Sequence, residues 1–117
     1  MKSYRDLIVW QKSMDLVTLV YKLSSRFPNE EKFGLVFQIK RGIVSVPSNI
    51  AEGYGRNYKK DYTRFLQIAR GPLFEVQTQL QIAVNLDFIK EENLIEVKAL
   101  STEIEKMLNV LIKKILA

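Results

Sequence analysis

Between Tyr54 and Phe65 the chain reads YGRNYKKDYTRF, in which Arg56, Lys59, Lys60 and Arg64 alternate with Tyr54, Tyr58 and Tyr62. Cations that pair with phosphates, set beside rings that stack on bases, are the groups that bind looped or single-stranded RNA. The bland alternative is a solvated charge run, with Tyr62 in phase with an apolar core and Tyr54 or Tyr58 stapling a helix turn. Other chemistries have few candidates. The 117 residues include no cysteine and no histidine. That removes disulfides, the usual zinc sites, Ser-His or Cys-His nucleophile pairs and histidine-dependent nucleases. A nuclease would need Glu52, Asp61 or Glu75 to gather a magnesium ion, and no carboxylate pair stands out at metal-ligand spacing. Neither enzyme activity nor a cofactor is expected.

The charge is concentrated. From Lys40 to Arg70 there are seven basic residues (Lys40, Arg41, Arg56, Lys59, Lys60, Arg64, Arg70) against two acids, Glu52 and Asp61. This segment carries the chain's whole net charge of +5, while the remaining eleven bases and eleven acids cancel. A local excess of this kind points to an anionic partner more than an even spread would.

A second polar feature lies just upstream in VSVPSNIAEGYGR. At 100° per residue, Gln38, Arg41, Ser45, Ser48, Asn49, Glu52 and Arg56 share one arc of a helix. Short hydroxyl and amide side chains stand there between charges of both signs, with Gly42 and Ala51 nearby. Such a stripe is either a solvated face or a polar interface, within the fold or between subunits, where amides and hydroxyls satisfy one another.

Four helical patterns must position these residues. The first runs from about Leu7 to Ser25 with Asp6 as N-cap. Its face of Trp10, Met14, Val17, Tyr21 and Ser24 adjoins an arc of Val9, Leu16, Leu19, Val20 and Leu23. That apolar arc is wider than the ~100° stripe of a surface helix, so it asks for a second packing partner. The second helix is expected to start at Asn29, with Glu30 and Glu31 against the dipole, and to end at Gly53, Tyr54 and Gly55. It keeps Leu35, Ile39, Gly42, Ile43, Val46, Ile50 and Gly53 in phase through Pro47. The ring costs ~3 kcal/mol in a helix interior unless compensated. A restart there would need Val46 as a cap, so a kinked, continuous helix is expected. The third pattern runs from near Asn57 to Leu86 with Tyr62, Phe65, Leu66, Ala69, Leu73, Val76, Leu80, Ala83 and Val84 in phase, and Gly71-Pro72 within it allows either a kink or a break. The fourth takes Leu94, Val97, Leu100, Ile104, Met107, Leu108, Leu111 and Ile115. Short connections favour antiparallel neighbours, which makes the expected fold an all-α, up-down-up-down four-helix bundle forming a single domain over residues 1–117. The amino terminus has only a four-residue apolar run, and no segment approaches the roughly 20 apolar residues of a membrane span, so a cytoplasmic protein is expected.

The segments DLIVWQKSMDL, YKLSSRFPNEEKFGLVFQIKRGIVSVPSNIAEGYGR and FLQIARGPLFEVQTQLQIA closely resemble the four-helix-bundle proteins encoded in intervening sequences of bacterial 23S ribosomal RNA genes. The likeness runs from about Tyr4 to Leu116 and is most specific at SVPSNIAEGYGR. It implies a ring-like homopentamer with a nucleic-acid-associated role. By position, the family's signature falls on Trp10, Gln38, Arg41, Ser45, Pro47, Asn49, Glu52, Gly53, Arg56, Arg70, Gly71 and Glu75. Two positions depart from it: Pro72 replaces a serine and Tyr58 a small or hydroxyl residue. The family's continuous helix at the first of these favours a kink over a break. From the alternation of cations and rings, the expected nucleic-acid contacts are Arg56, Lys59, Lys60, Arg64 and Tyr58. The expected oligomer or polar interface is Trp10, Gln38, Arg41, Ser45, Asn49, Glu52, Arg70 and Glu75. The competing function is a protein adaptor, such as an accessory subunit to a nucleic-acid enzyme.

Overall fold

The computed structural model describes residues 2–117. Its elements in chain order are α1 (Ile8–Ser24), α2 (Leu35–Tyr54), α3 (Lys59–Asn85) and α4 (Ile95–Leu116), with short 3-10 turns at Tyr4–Asp6, Asn29–Glu31 and Glu91–Leu94. The described residues contain no strand. The helices pack in a closed cycle, α1 on α2, α2 on α3, α3 on α4 and α4 on α1. Each contributes one buried stripe to a common core. Val9, Leu16, Val20 and Leu23 come from α1, and Ile39, Ile43, Val46 and Ile50 from α2. Leu66, Ala69, Leu73, Val76 and Leu80 come from α3, with Val97, Ile104 and Leu108 from α4. Each large aliphatic side chain taken out of water contributes about 1.5–3 kcal/mol, so this shared core is what holds the four helices together.

Three helix starts differ from the sequence expectation. Asp6 does not cap α1. Its carboxylate accepts from the N–H groups of Lys2 and Ser3 (2.9 and 3.1 Å), closing a capping box around the turn at Tyr4–Asp6. With Asp6 engaged upstream, α1 begins at Ile8 behind Leu7, which offers no capping side chain. Asn29 does not open the second α-helix either. Asn29–Glu31 makes one 3-10 turn, and Gly34 (φ −107°, ψ −111°) leaves the helical region before α2 starts at Leu35. Glu31 then does the work expected of Asn29, accepting from the Leu35 N–H at 3.2 Å. The third helix begins two residues later than Asn57, at Lys59.

Both internal prolines lie inside unbroken helices. Around Pro47, polar side chains engage nearby carbonyls of their own helix. Ser45 Oγ donates to Gly42 O (2.6 Å), Ser48 Oγ to Val44 O (2.8 Å) and Asn49 Nδ2 to Ser45 O (2.7 Å). Such bonds from a side chain back to the preceding turn accompany bends in helices. At the other end of α3, Asp87 takes the left-handed region (φ 64°). The N–H groups of Asp87 and Phe88 then donate to Val84 O and Ala83 O at 2.9 Å, the Schellman pattern that stops a helix. Phe88 folds back onto Phe27, with ring centroids 5.6 Å apart.

The α2–α3 seam is the tightest in the molecule. A Cβ on Gly53 would stand 2.9 Å from Phe65 Cβ and 3.1 Å from Tyr62 O, and one on Gly42 would stand 3.1 Å from Val76 Cγ2. Three turns separate these glycines, which puts them on the same side of α2. Alanine is favoured over glycine in an open helix by up to about 1 kcal/mol. At Gly53 the clash should outweigh that gain. Gly53→Ala is expected to lower unfolding stability in urea by about 1–3 kcal/mol, the cost of overpacking a filled site.

Candidate nucleic-acid interface

The close approach at Gly53 brings the end of α2 and the start of α3 together, and four cations collect there. Arg56 lies two residues beyond α2, where a cation complements the negative end of the helix. Its Nη2 donates to Glu52 Oε1 at 2.7 Å, and its Cζ lies 4.7 Å from the Phe65 ring centroid. Arg64, one turn into α3, is exposed and lies over the same ring at 5.2 Å. Lys59 and Lys60 are the first two residues of α3, both exposed and, among the described residues, in no ion pair. There they face the positive end of the α3 dipole, a placement that costs a few tenths to about 1 kcal/mol per charge and that a bound anion would relieve. Asp61 is the one acid in that first turn.

Tyr58 occupies the N-cap position of α3 without any capping bond from its side chain, and it is 73% exposed. The other tyrosines are structural. Tyr54 and Tyr62 are half-buried and meet edge to face, with centroids 6.1 Å apart. Of the three rings that alternate with the cations, only Tyr58 is open to solvent.

The positive segment from Lys40 to Arg70 is therefore not one patch. Lys40 sits over the Tyr21 ring at 4.8 Å, between α1 and α2. Arg41 stands toward the opposite end of α2 from Arg56, roughly 20 Å away along the helix axis. Arg70 points to the far side of α3, where Nη1 donates to Asn109 Oδ1 of α4 at 2.6 Å. Nearness in sequence had joined these residues, but the helical turn separates them.

The expected polar interface divides in the same way. Gln38, Arg41, Ser45 and Glu75 do come together, lining a cleft of about 350 Å³ between α2 and α3 with Phe37, Gly42 and Pro72. Beside them Gln79, 8% exposed, donates from Nε2 to Gln38 and Glu75 over long distances of 3.4 and 3.5 Å. Arg70 belongs to the α3–α4 seam instead. Trp10 lies on the other side of α2, in an apolar groove of about 340 Å³ with Tyr4, Met14, Val17, Val44, Pro47, Ser48 and Ala51. The serines and Asn49 of the stripe do not satisfy one another as expected, since each donates to a carbonyl of its own helix. Glu52 is exposed and paired with Arg56 on the surface. Among the described residues, no group of three or more His, Cys, Asp or Glu is arranged to hold a metal ion. No helix among them is long and apolar enough to cross a membrane.

Phe65 was missed in the sequence as a site residue because its phase assigned it to the core. The signal available was its place directly after Arg64. The wide apolar face read on the first helix continues onto α2. Val44 and Phe37 are exposed on α2, and Tyr21 and Met14 on α1.

Four helices sharing one apolar core, with a cation cluster at the α2–α3 turn, define an all-α helical protein with a localised positive end. Residues 5–110 match the family model described as 23S rRNA-intervening sequence protein, and the chain belongs to that family. It is also similar to a crystal structure from the S23 ribosomal protein family of Bacteroides thetaiotaomicron, with TM-score 0.82 and 29% identity over 91% of this chain and 99% of the other. No curated protein sequence matches it.

The tyrosine pair carries a pH signature. Burial, and secondarily Tyr54, push the Tyr62 phenol above its ordinary value of 10.0. The folded chain thus holds that proton more tightly than the unfolded chain does. The resulting stability is complete below pH 10.0 and is lost as pH rises through the folded value. Alkaline titration followed by phenolate absorbance should show one tyrosine ionising after the rest, and Tyr62→Phe should remove that last step.

Proposed function

We propose that this chain is a non-enzymatic oligomeric module that binds nucleic acid, RNA foremost, through the α2–α3 turn. The observation that carries this reading is the gathering of Arg56, Lys59, Lys60 and Arg64 at the α2–α3 turn, which also carries the exposed ring of Tyr58. Lys59 and Lys60 add weight because they stand where the helix dipole disfavours cations. Membership in a family described by its place in 23S rRNA genes agrees with a nucleic-acid partner.

The assembled form is an antiparallel up-and-down bundle repeated in a ring, pentameric by its resemblance to the family. Two features support it. Gly42 faces Val76 while Gly53 faces Phe65, so α3 passes α2 in reverse order. The apolar groove of Trp10, Met14, Val17 and Val44 is a surface whose burial against another copy would be favourable. A ring repeats the cation cluster, and multivalency raises overall affinity above that of one subunit. Light scattering at micromolar concentration should return a mass of several chains, and Val44→Glu, which places a charge in the groove, should shift it toward the mass of one. A clean monomer mass for the unaltered chain would overturn the assembly.

Binding should fall with salt by a log–log slope of about −0.7 to −0.9 per phosphate neutralised. Replacing Lys59 and Lys60 with alanine should weaken binding to every sequence alike and flatten the slope by up to about two units for one bound subunit. Tyr58→Ala should cost ~1–3 kcal/mol on single strands and less on duplex, as expected for a ring that stacks on an unpaired base. The control is Lys98 with Lys106 on α4. Lys98 is tied to Glu91 at 3.3 Å, outside the cation cluster. Equal losses from both pairs would leave only nonspecific attraction. No binding at low salt would transfer the role of this surface to an acidic protein partner.

A further inference from the structure

Two of the four cations are held differently from the other two. Lys59 and Lys60 are point charges on flexible stems, whereas the guanidiniums of Arg56 and Arg64 both lie over one aromatic ring, Phe65, at 4.7 and 5.2 Å. The stem of that ring is held by the α2–α3 contact. Gly53 lets α2 approach so closely that a Cβ would stand 2.9 Å from Phe65 Cβ, so the base of the side chain is pinned against α2. Arg56 is held a second time by Glu52, which takes one of its N–H groups at 2.7 Å. A guanidinium has five N–H donors in a fixed planar fork. With one given to Glu52 and its face over the ring, Arg56 keeps an edge free for a phosphate oxygen.

We propose that Phe65 is the positioning residue of the nucleic-acid site, an uncharged platform that orders the Arg56 and Arg64 guanidiniums for contact with backbone phosphates. An unrestrained arginine loses rotamer freedom when it engages a phosphate, and a guanidinium already ordered over a ring loses less. The two cation–ring contacts correspond to about 5- to 30-fold in affinity when they are modest surface interactions. The ring contributes this without adding charge, so its effect separates from the number of phosphates neutralised. The proposal rests on the nucleic-acid function proposed above.

The test compares Phe65→Leu, Phe65→Tyr and the Lys59→Ala/Lys60→Ala double variant with the unaltered chain, using a short single-stranded RNA followed by fluorescence anisotropy at low salt. Circular dichroism checks the fold of each. Phe65→Leu keeps an apolar side chain and every charge, and is expected to lose about 5- to 30-fold in affinity. Phe65→Tyr keeps the π-face and should bind within about twofold of the unaltered chain, since tyrosine serves cations as well as phenylalanine does. Nitrogen-edited NMR should show the Nε–H protons of Arg56 and Arg64 shifted by the ring in the unaltered chain and released in Phe65→Leu. If Phe65→Leu binds normally while the double lysine variant is weakened, the platform idea falls and the nucleic-acid reading stands. If Phe65→Tyr fails as badly as Phe65→Leu, the residue only supports packing and the proposal is overturned. If the unaltered chain binds no RNA, both fall together. An Arg56→Lys/Arg64→Lys chain that binds as tightly as the original would overturn the platform whatever the fate of Phe65→Leu.

Discussion

The constraint on which the rest depends is the contact between α2 and α3 at Gly42 and Gly53. Neither position has room for a Cβ at ordinary packing distance, since Val76 stands over one and Phe65 and Tyr62 over the other. Helix backbones that approach this closely also fix their relative register, because shifting either helix by one residue would bring a side chain where only hydrogen fits. With the register set, the connection from Tyr54 to Lys59 is short, and Arg56 comes within reach of Phe65. The geometry of the cation cluster is thus a consequence of packing at glycine.

The same seam explains why the second helix has two polar identities. On its α3 side Gln38, Gly42 and Ser45 line a polar cleft, and on its α1 side Val44, Pro47 and Ala51 line an apolar groove. A helix placed between two neighbours has two flanks as well as a buried face and an outer face. The short polar residues between those flanks direct their donors to their own backbone, which leaves a surface with few unsatisfied groups. Such a surface needs no partner to be stable, and it presents small, already bonded residues to anything that comes against it. Its charged members behave differently. The Glu52–Arg56 pair is exposed, and an ion pair of that kind contributes about 0–1 kcal/mol, so its larger effect is on where Arg56 points.

Polar groups at the helix starts show how local signals compete. Asp6 and Asn29 are both residue types that cap helices. Asp6 meets two upstream amides first and closes a turn one residue short of the helix. Asn29 begins a turn that Gly34 terminates, and the carboxylate of Glu31 reaches forward to the true start at Leu35. A capping side chain satisfies the nearest free N–H groups. Which groups those are depends on the path of the backbone around it.

The sequence by itself determined that the chain forms four helices, where every helix boundary but the start of the second falls to within a residue or two, and which aliphatic stripes become core. Helical periodicity is a local property, and residues such as Ile39, Ile43, Val46 and Ile50 declare their face wherever the helix is put. It also determined that cations and tyrosines gather in YGRNYKKDYTRF, because they share one short turn. Only the tertiary structure decided which members of the basic segment act together. Arg70 turned to Asn109 on α4, Lys40 to Tyr21 on α1, and Arg56 and Arg64 met over Phe65. Those outcomes depend on which helix lies against which flank, a matter of pairing between residues far apart in the chain that spacing along one helix does not encode. Phe65 looked like core for the same reason. Its phase places it near the interior, but the folded chain leaves the ring half-buried, with two guanidiniums over it.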